Sequence, residues 1–185
     1  MRRREQILVE AGRLFASRGF HGVTVADIGA ACGISGPALY KHFVSKEAML
    51  AEMLVSVSEQ LLAAGRERVG QAHGPADALQ RLIDYHVDFA LQARSLIVVQ
   101  DRDWQALPTD ARQRVRALQR AYVDLWADQL RALDPRLDAA AAHAQAQAGF
   151  GLINSTPRAG GIDDDQLREL LGRMAADAFG LRAPS

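Results

Sequence analysis

The sequence predicts an all-α fold of about nine helices, on three observations. Apolar residues recur at three- and four-residue spacing in one segment after another. The breaks between segments carry helix stop and start residues: Gly33 before Ser35, Gly70 to Pro75, Pro108 before Thr109, Asp134-Pro135, and Pro157 to Gly161. The β-branched run Leu96-Ile97-Val98-Val99 has no second strand to pair with, and a lone strand would leave its backbone groups unsatisfied.

Arg4 to Ser17 places Ile7, Leu8, Ala11, Leu14 and Phe15 on one helical face, and Arg18-Gly19-Phe20 ends it. Thr24 caps a second helix, with Asp27 as the shorter analogue of the capping-box acid and Val25, Ile28 and Cys32 as its apolar stripe. Gly33 supplies the left-handed residue that stops it. Ser35 caps a third helix, where Pro37 is tolerated in the first turn. Leu39 and Phe43 face inward, leaving Gly36, Ala38, Tyr40, Lys41 and His42 on the outer and flanking surface.

Ser45 caps a long fourth helix, whose stripe of Met49, Leu50, Met53, Leu54, Val57, Leu61 and Leu62 runs to the Gly70–Pro75 breaker. A fifth helix over Ala76 to Ala93 carries Leu79, Leu82, Ile83, Val87, Phe89 and Ala90. Ser95 to Leu107 reads as a short buried helix, and Thr109 to Leu133 as a long one with Val115, Leu118, Tyr122, Leu125, Trp126, Gln129 and Leu133 on one face. Asp138 to Thr156 is rich in small residues, whereas Asp163 to Leu181 has Leu167, Leu170, Leu171, Met174 and Phe179. Such small residues let helices approach closely.

Of the 185 residues, 49% are hydrophobic, enough for a sizeable core. Net charge is zero, but up to residue 48 Arg2, Arg3, Arg4, Arg13, Arg18, Lys41 and Lys46 outnumber Glu5, Glu10, Asp27 and Glu47. Basic character is therefore confined to one end. The Arg2 to Arg4 run reads either as a phosphate contact or as a solvated start. The lone Cys32 cannot form an intramolecular disulfide and reads as a packed apolar residue. The N-terminus has no signal-peptide pattern and no apolar segment of about 20 residues is apparent, so a soluble, cytoplasmic protein without a membrane partner is expected.

A short helix that presents small, polar and cationic residues near its own N-terminus suits a DNA major groove. The residues carry a family likeness as well. Thr24-Val25, Ile28, Ala31, Gly33-Ile34-Ser35, Ala38-Leu39-Tyr40-Lys41-His42-Phe43 and Ser45-Lys46-Glu47 resemble the DNA-binding motif of the TetR family of bacterial transcriptional regulators. The resemblance covers residues 4 to 50. It implies a three-helix helix-turn-helix domain over 1–48 and a helical ligand-binding and dimerisation domain over 49–185, with 49–69 as connecting helix. It further implies phosphate contacts from Thr24, Ser35, Tyr40 and Lys46, and base-edge contacts from Gly36, Pro37, Ala38, Lys41 and His42. The partners it implies are double-stranded operator DNA, a small hydrophobic effector, and a second copy of the chain held through the last two helices.

Polar groups interrupt the apolar faces beyond residue 75: His86, Tyr122, Gln129 and Asn154, beside Tyr85, Phe89, Trp104, Trp126 and Phe150. They line either an effector pocket or a hydrogen-bonded core. Arg102-Asp103-Trp104 holds either a ligand head group or an ion pair. This part is also similar to actinobacterial TetR-type regulators with acyl-CoA effectors, in Asp101-Arg102, Leu118 to Tyr122 and Phe150 to Pro157. A CoA ligand would want a basic entrance, for which Arg112, Arg114, Arg116 and Arg158 are candidates.

His21, His42, His73, His86 and His143 are never three or four residues apart, so no helix presents a ready metal pair. Gly149-Phe150-Gly151 lacks the preceding strand of a nucleotide loop and reads as close helix packing. No nucleophile, base and orienting group recur in a recognisable spacing, so neither an enzyme nor a cofactor is expected. The sequence thus predicts a dimeric, ligand-released repressor, with a DNA-binding regulator lacking any small-molecule ligand as the alternative.

Overall fold

A computed structural model describes residues 3–181, and Arg2 of the basic run lies outside the described residues. Helix α1 spans Arg3–Arg18, α2 Val25–Ala31, α3 Gly36–Tyr40, α4 Lys46–Gly70 and α5 Pro75–Gln92. Next come α6 over Arg94–Asp103, α7 over Thr109–Leu133, α8 over Ala139–Ile153 and α9 over Asp164–Ala178. Short 3-10 turns occupy Trp104–Ala106 and Thr156–Arg158, and no strand occurs among the described residues. The all-α reading is therefore correct.

The chain forms two compact units. The described residues up to Ser58 belong to the first together with Ser95–Arg116; Glu59–Arg94 and the described residues from Ala117 onward make the second. In the first unit Ile7, Ala11 and Phe15 of α1 pack with Ile28 of α2, Leu39 and Phe43 around α3, and Met49, Leu50, Met53 and Leu54 of α4. Val99, Leu107, Ala111 and Val115 complete this core, which is why the second stretch of chain belongs with the first. Burying Phe15 alone stabilises the unit by roughly 1.5–3 kcal/mol.

In the second unit α5, α8 and α9 pack pairwise. Leu79, Leu82, Ile83 and Val87 of α5 are buried, with Ala142, Ala146 and Ile153 of α8 and Leu167, Leu171 and Ala175 of α9. The small side chains of α8 leave room for larger neighbours.

Three details depart from the sequence reading. The α6 run is helical but half buried, with Ile97 and Val99 inside and Leu96 and Val98 partly exposed. The inward stripe of α7 ends on Leu130 rather than Leu133, because Val115, Leu118, Tyr122, Trp126 and Leu130 keep the helical period and Leu133 rotates outward. Helix α4 is, by length and composition alone, long and apolar enough to cross a membrane, contrary to the expectation that no such segment exists. Its apolar residues Met49, Leu50, Met53 and Leu54 are packed in the core of the first unit.

Candidate functional site

The helix-turn-helix is built from reciprocal local bonds. The Thr24 hydroxyl donates to Asp27 Oδ2 at 2.6 Å and accepts from the Asp27 amide at 3.1 Å, while the Thr24 amide donates back to Asp27 at 2.8 Å. Hydrogen bonding from Thr24 holds the Asp27 carboxyl below its usual range. Both Thr24 donors are thereby engaged within the cap.

After α2, Gly33 takes φ +66° and the Ile34 amide donates to the Gly29 carbonyl at 2.9 Å. The turn closes so tightly that a Cβ on Gly29 would lie 2.8 Å from the Ile34 oxygen. Ser35 then caps α3, its hydroxyl accepting from the Ala38 amide at 3.4 Å. With Leu39 buried, Ser35, Pro37, Tyr40 and Lys41 are exposed and Gly36, Ala38 and His42 half-buried. Tyr40 is 54% exposed, a large aromatic displayed beside the exposed Lys41.

Three basic side chains brace this face. Lys46 donates to the Phe20 and Val23 carbonyls at 2.7 Å each and sits 4.3 Å above the Phe20 ring, so two of its three ammonium protons tie α4 to the link before α2. Arg3 donates to the Cys32 carbonyl at 2.8 Å. Arg4 pairs with Glu52, donates to the His42 carbonyl and lies 4.0 Å over the Phe43 ring. The described part of the basic run is thus hydrogen-bonded to the motif while staying exposed. Sequence reasoning missed the bracing role of Arg4, because nothing in the spacing of α1 announces a partner 48 residues away.

Burial raises the Cys32 thiol above its ordinary value, as a packed residue requires. Among the described residues no group of three or more His, Cys, Asp or Glu is arranged to hold a metal ion.

The second unit gathers seven of the proposed ligand residues: Tyr85, His86, Phe89, Tyr122, Trp126, Phe150 and Asn154. The His86 ring stands 5.0 Å from Phe150 and 5.7 Å from Phe89 and Tyr122, and Phe150 stacks on Tyr122 at 5.5 Å. Trp126 meets His86, Tyr122 and Phe150 edge to face. Phe179, which the sequence offered only as a helix-face residue, closes the cluster 5.6 Å from Trp126. It lies where Gly149 has no side chain, since a Cβ there would be 2.2 Å from the ring. Tyr122 fits against Gly65 in the same way, at 2.7 Å.

His86 is fully engaged: Nε2 stands 3.2 Å from Asn154 Oδ1 and Nδ1 3.4 Å from the Tyr122 hydroxyl. The carboxamide oxygen can only accept, so His86 donates from Nε2 and accepts at Nδ1 from Tyr122. Burial pushes the imidazole down to about 4 against the opposing Asn154 bond, so the ring is neutral at physiological pH. Burial likewise raises the Tyr122 phenol, an effect the neighbouring Trp126 N–H opposes. That indole N–H nevertheless has no partner in hydrogen-bond geometry.

Arg102 and Trp104 belong to the first unit. Arg102 donates to the Phe15 and Ala16 carbonyls at the end of α1 and pairs with Asp103 at 3.1 Å. The Arg116 guanidinium lies 5.5 Å from the Trp104 ring. Their geometry is that of a helix cap with an ion pair.

Residues 7–53 match the model of the bacterial regulatory proteins of the tetR family, and residues 72–177 that of the tetracyclin repressor-like C-terminal domain. The chain belongs to the TetR family. Members of this family are DNA-binding transcription factors rather than enzymes, and this TetR-family chain is a transcriptional regulator.

It is 33% identical over 110 residues to the HTH-type transcriptional repressor KstR2 of Mycobacterium tuberculosis, covering 60% of this chain and 55% of that protein. KstR2 of Rhodococcus jostii is 30% identical over 125 residues, covering 67% of this chain and 61% of that protein. The match thus spans little more than half the length of these curated relatives. Among solved structures, a TetR-family transcriptional regulator from Bordetella parapertussis aligns with TM-score 0.84 and 28% identity over 98% of both chains. The ketosteroid transcriptional regulator KstR2 of M. tuberculosis aligns with TM-score 0.82 and 25% identity, over 97% of this chain and 94% of that one.

Proposed function

We propose that this TetR-family regulator is a cytoplasmic repressor that binds a near-palindromic operator as a homodimer and leaves it when a small hydrophobic effector enters the second unit. The carrying observation is the capped α2–α3 turn, which displays Ser35, Pro37, Tyr40 and Lys41 on one exposed face. In this reading Ser35 and Tyr40 contact phosphates, with Thr24 acting through its cap and Lys46 through its remaining proton. Lys41, Gly36, Pro37, Ala38 and His42 meet base edges.

Two recognition helices must reach major grooves roughly 34–36 Å apart, which calls for two copies. The outer face of α8, with exposed Ala144, Gln147, Ala148 and Gly151, and the 42% exposed Met174 of α9 suit a close helix–helix contact between them. The effector reading draws on the ring cluster around His86, and on KstR2 being named a ketosteroid regulator. An acyl-CoA ester is one form of such an effector, its acyl part entering the rings. The domain division follows the same functions: a DNA-reading segment over 1–48 and a ligand-binding, dimerising remainder over 49–185.

The test is fluorescence anisotropy with DNA from upstream of the regulator's own gene, at low salt. Saturable binding that falls on adding apolar compounds is expected. Binding indifferent to every apolar compound would favour a regulator with a filled core and no effector.

A further inference from the structure

The aromatic cluster of the second unit has a donor left over. Trp126 is 0% exposed and surrounded by four rings, yet its indole N–H makes no hydrogen bond, because the Tyr122 hydroxyl beside it lies outside hydrogen-bond geometry. The polar tips nearby are already ordered in one direction. Tyr122 donates to His86 Nδ1 at 3.4 Å, and His86 donates from Nε2 to Asn154 Oδ1 at 3.2 Å. The acceptors of His86 and Asn154 are therefore engaged, whereas the indole proton is not.

Among the described residues, the hydrogen bonds and ring contacts of His86, Tyr122, Trp126 and Phe150 go to uncharged side chains. The Arg68 guanidinium stacks on the Tyr85 ring at 3.8 Å, and its charge is felt at Tyr122. A carboxylate buried beside Trp126 would thus lack a hydrogen-bonded counter-ion, since the buried His86 is neutral. Phe89, Phe150 and Asn154 are only half-buried, so the cluster reaches the surface at these three residues.

We propose that the cluster of His86, Tyr122, Trp126 and Phe150 takes the part of an effector that is flat, apolar and uncharged, and that the carbonyl oxygen of this part accepts the Trp126 indole proton. A carbonyl brings an acceptor without a proton of its own, and flat carbon skeletons stack on aromatic faces. The inference rests on the reading of this unit as effector-binding, and extends it to the chemistry of the ligand. A ketone and a thioester present the same group.

The full-length protein is titrated with 1-tetralone, with its hydrocarbon tetralin, with 1-naphthoate and with benzoyl-CoA, following the two indole N–H resonances; Trp104→Phe assigns them. Tetralone or benzoyl-CoA is expected to shift the Trp126 resonance downfield and leave Trp104 in place. Tetralone should bind about tenfold more tightly than tetralin, the ratio one hydrogen bond supplies. Trp126→Phe should bring that ratio to about one. A shift with tetralone alone makes a free ketone the source, and a shift with benzoyl-CoA alone a thioester.

Equal binding of tetralone and tetralin with the Trp126 signal unmoved would overturn the proposal, leaving the indole proton against a ring face. So would tightest binding by naphthoate, or binding by none of the four. Operator release is read in the same samples: a carbonyl-dependent shift without release keeps this ligand chemistry and defeats the effector reading instead.

Discussion

Arg4 of α1 grips Glu52 of α4 through two guanidinium nitrogens, Nε donating to Oε1 at 2.7 Å, while its plane lies 4.0 Å over the Phe43 ring. With its further bond to the His42 carbonyl, one side chain joins the first helix, the end of the recognition segment and the start of the fourth.

Arg4→Ala should therefore weaken operator binding although the proposed contacts all lie elsewhere. Glu52→Gln should act in the same direction and more weakly, and Arg4→Lys should not restore the planar fork. Because both side chains are partly exposed, the pair contributes only up to about 1 kcal/mol to stability, so a Tm shift of a few degrees should accompany a larger loss in anisotropy-measured affinity. An affinity unchanged in Arg4→Ala would remove the bracing role.

Lys41→Ala and Tyr40→Ala should lower operator affinity with Tm preserved, since both side chains are exposed and the core residue next to them is Leu39. Salt titration separates their roles. Loss of a phosphate contact reduces the salt slope by about 1, whereas loss of a base contact relaxes sequence preference at one position.

Gly29→Ala places a Cβ 2.8 Å from a backbone oxygen that cannot swing away. The turn must open, at a cost of roughly 1–3 kcal/mol to the first unit. Denaturation should report that loss, and DNA binding should fail even below the transition. For stability alone, Gly36→Ala is the contrasting substitution, because its added carbon meets nothing within 4 Å.

Most of the fold was legible because each helix carried its own signals. Thr24 with Asp27, Gly33 and Ser35 all appear as caps or stops where local chemistry placed them. Long-range pairing left no such trace. Nothing local tells that Arg4 meets Glu52, that Phe179 fills the space over Gly149, or that Arg102 caps α1 instead of joining the His86 cluster. Of the cluster itself the sequence supplied the members except Phe179, and folding supplied the direction of the Tyr122, His86 and Asn154 bonds.

Those bonds carry a pH dependence. His86 ionises near 6.5 when unfolded and near 4 when folded, so the unfolded chain binds a proton first as pH falls. Stability from this site is complete above about pH 6.5, declines through the window down to about 4 and is constant below it, a loss of roughly 3 kcal/mol. Asp27, Asp77, Asp134 and Asp164 are all held below their ordinary value of 3.8 and titrate beneath that window. His86→Gln should flatten the unfolding free energy between pH 4 and 6.5, measured by urea denaturation; an unaltered slope would show that the imidazole is not the buried group the geometry describes.

The central claim is that two copies of the chain read one operator through paired α3 faces. Selection of bound fragments from sheared genomic DNA at low salt, followed by the stoichiometry of the recovered complex, tests it most directly. The account predicts a near-palindromic site with half-sites about one helical turn apart and two chains on each duplex, lost in Lys41→Ala. Enrichment of no sequence, or a single chain on an unpaired half-site, would contradict it.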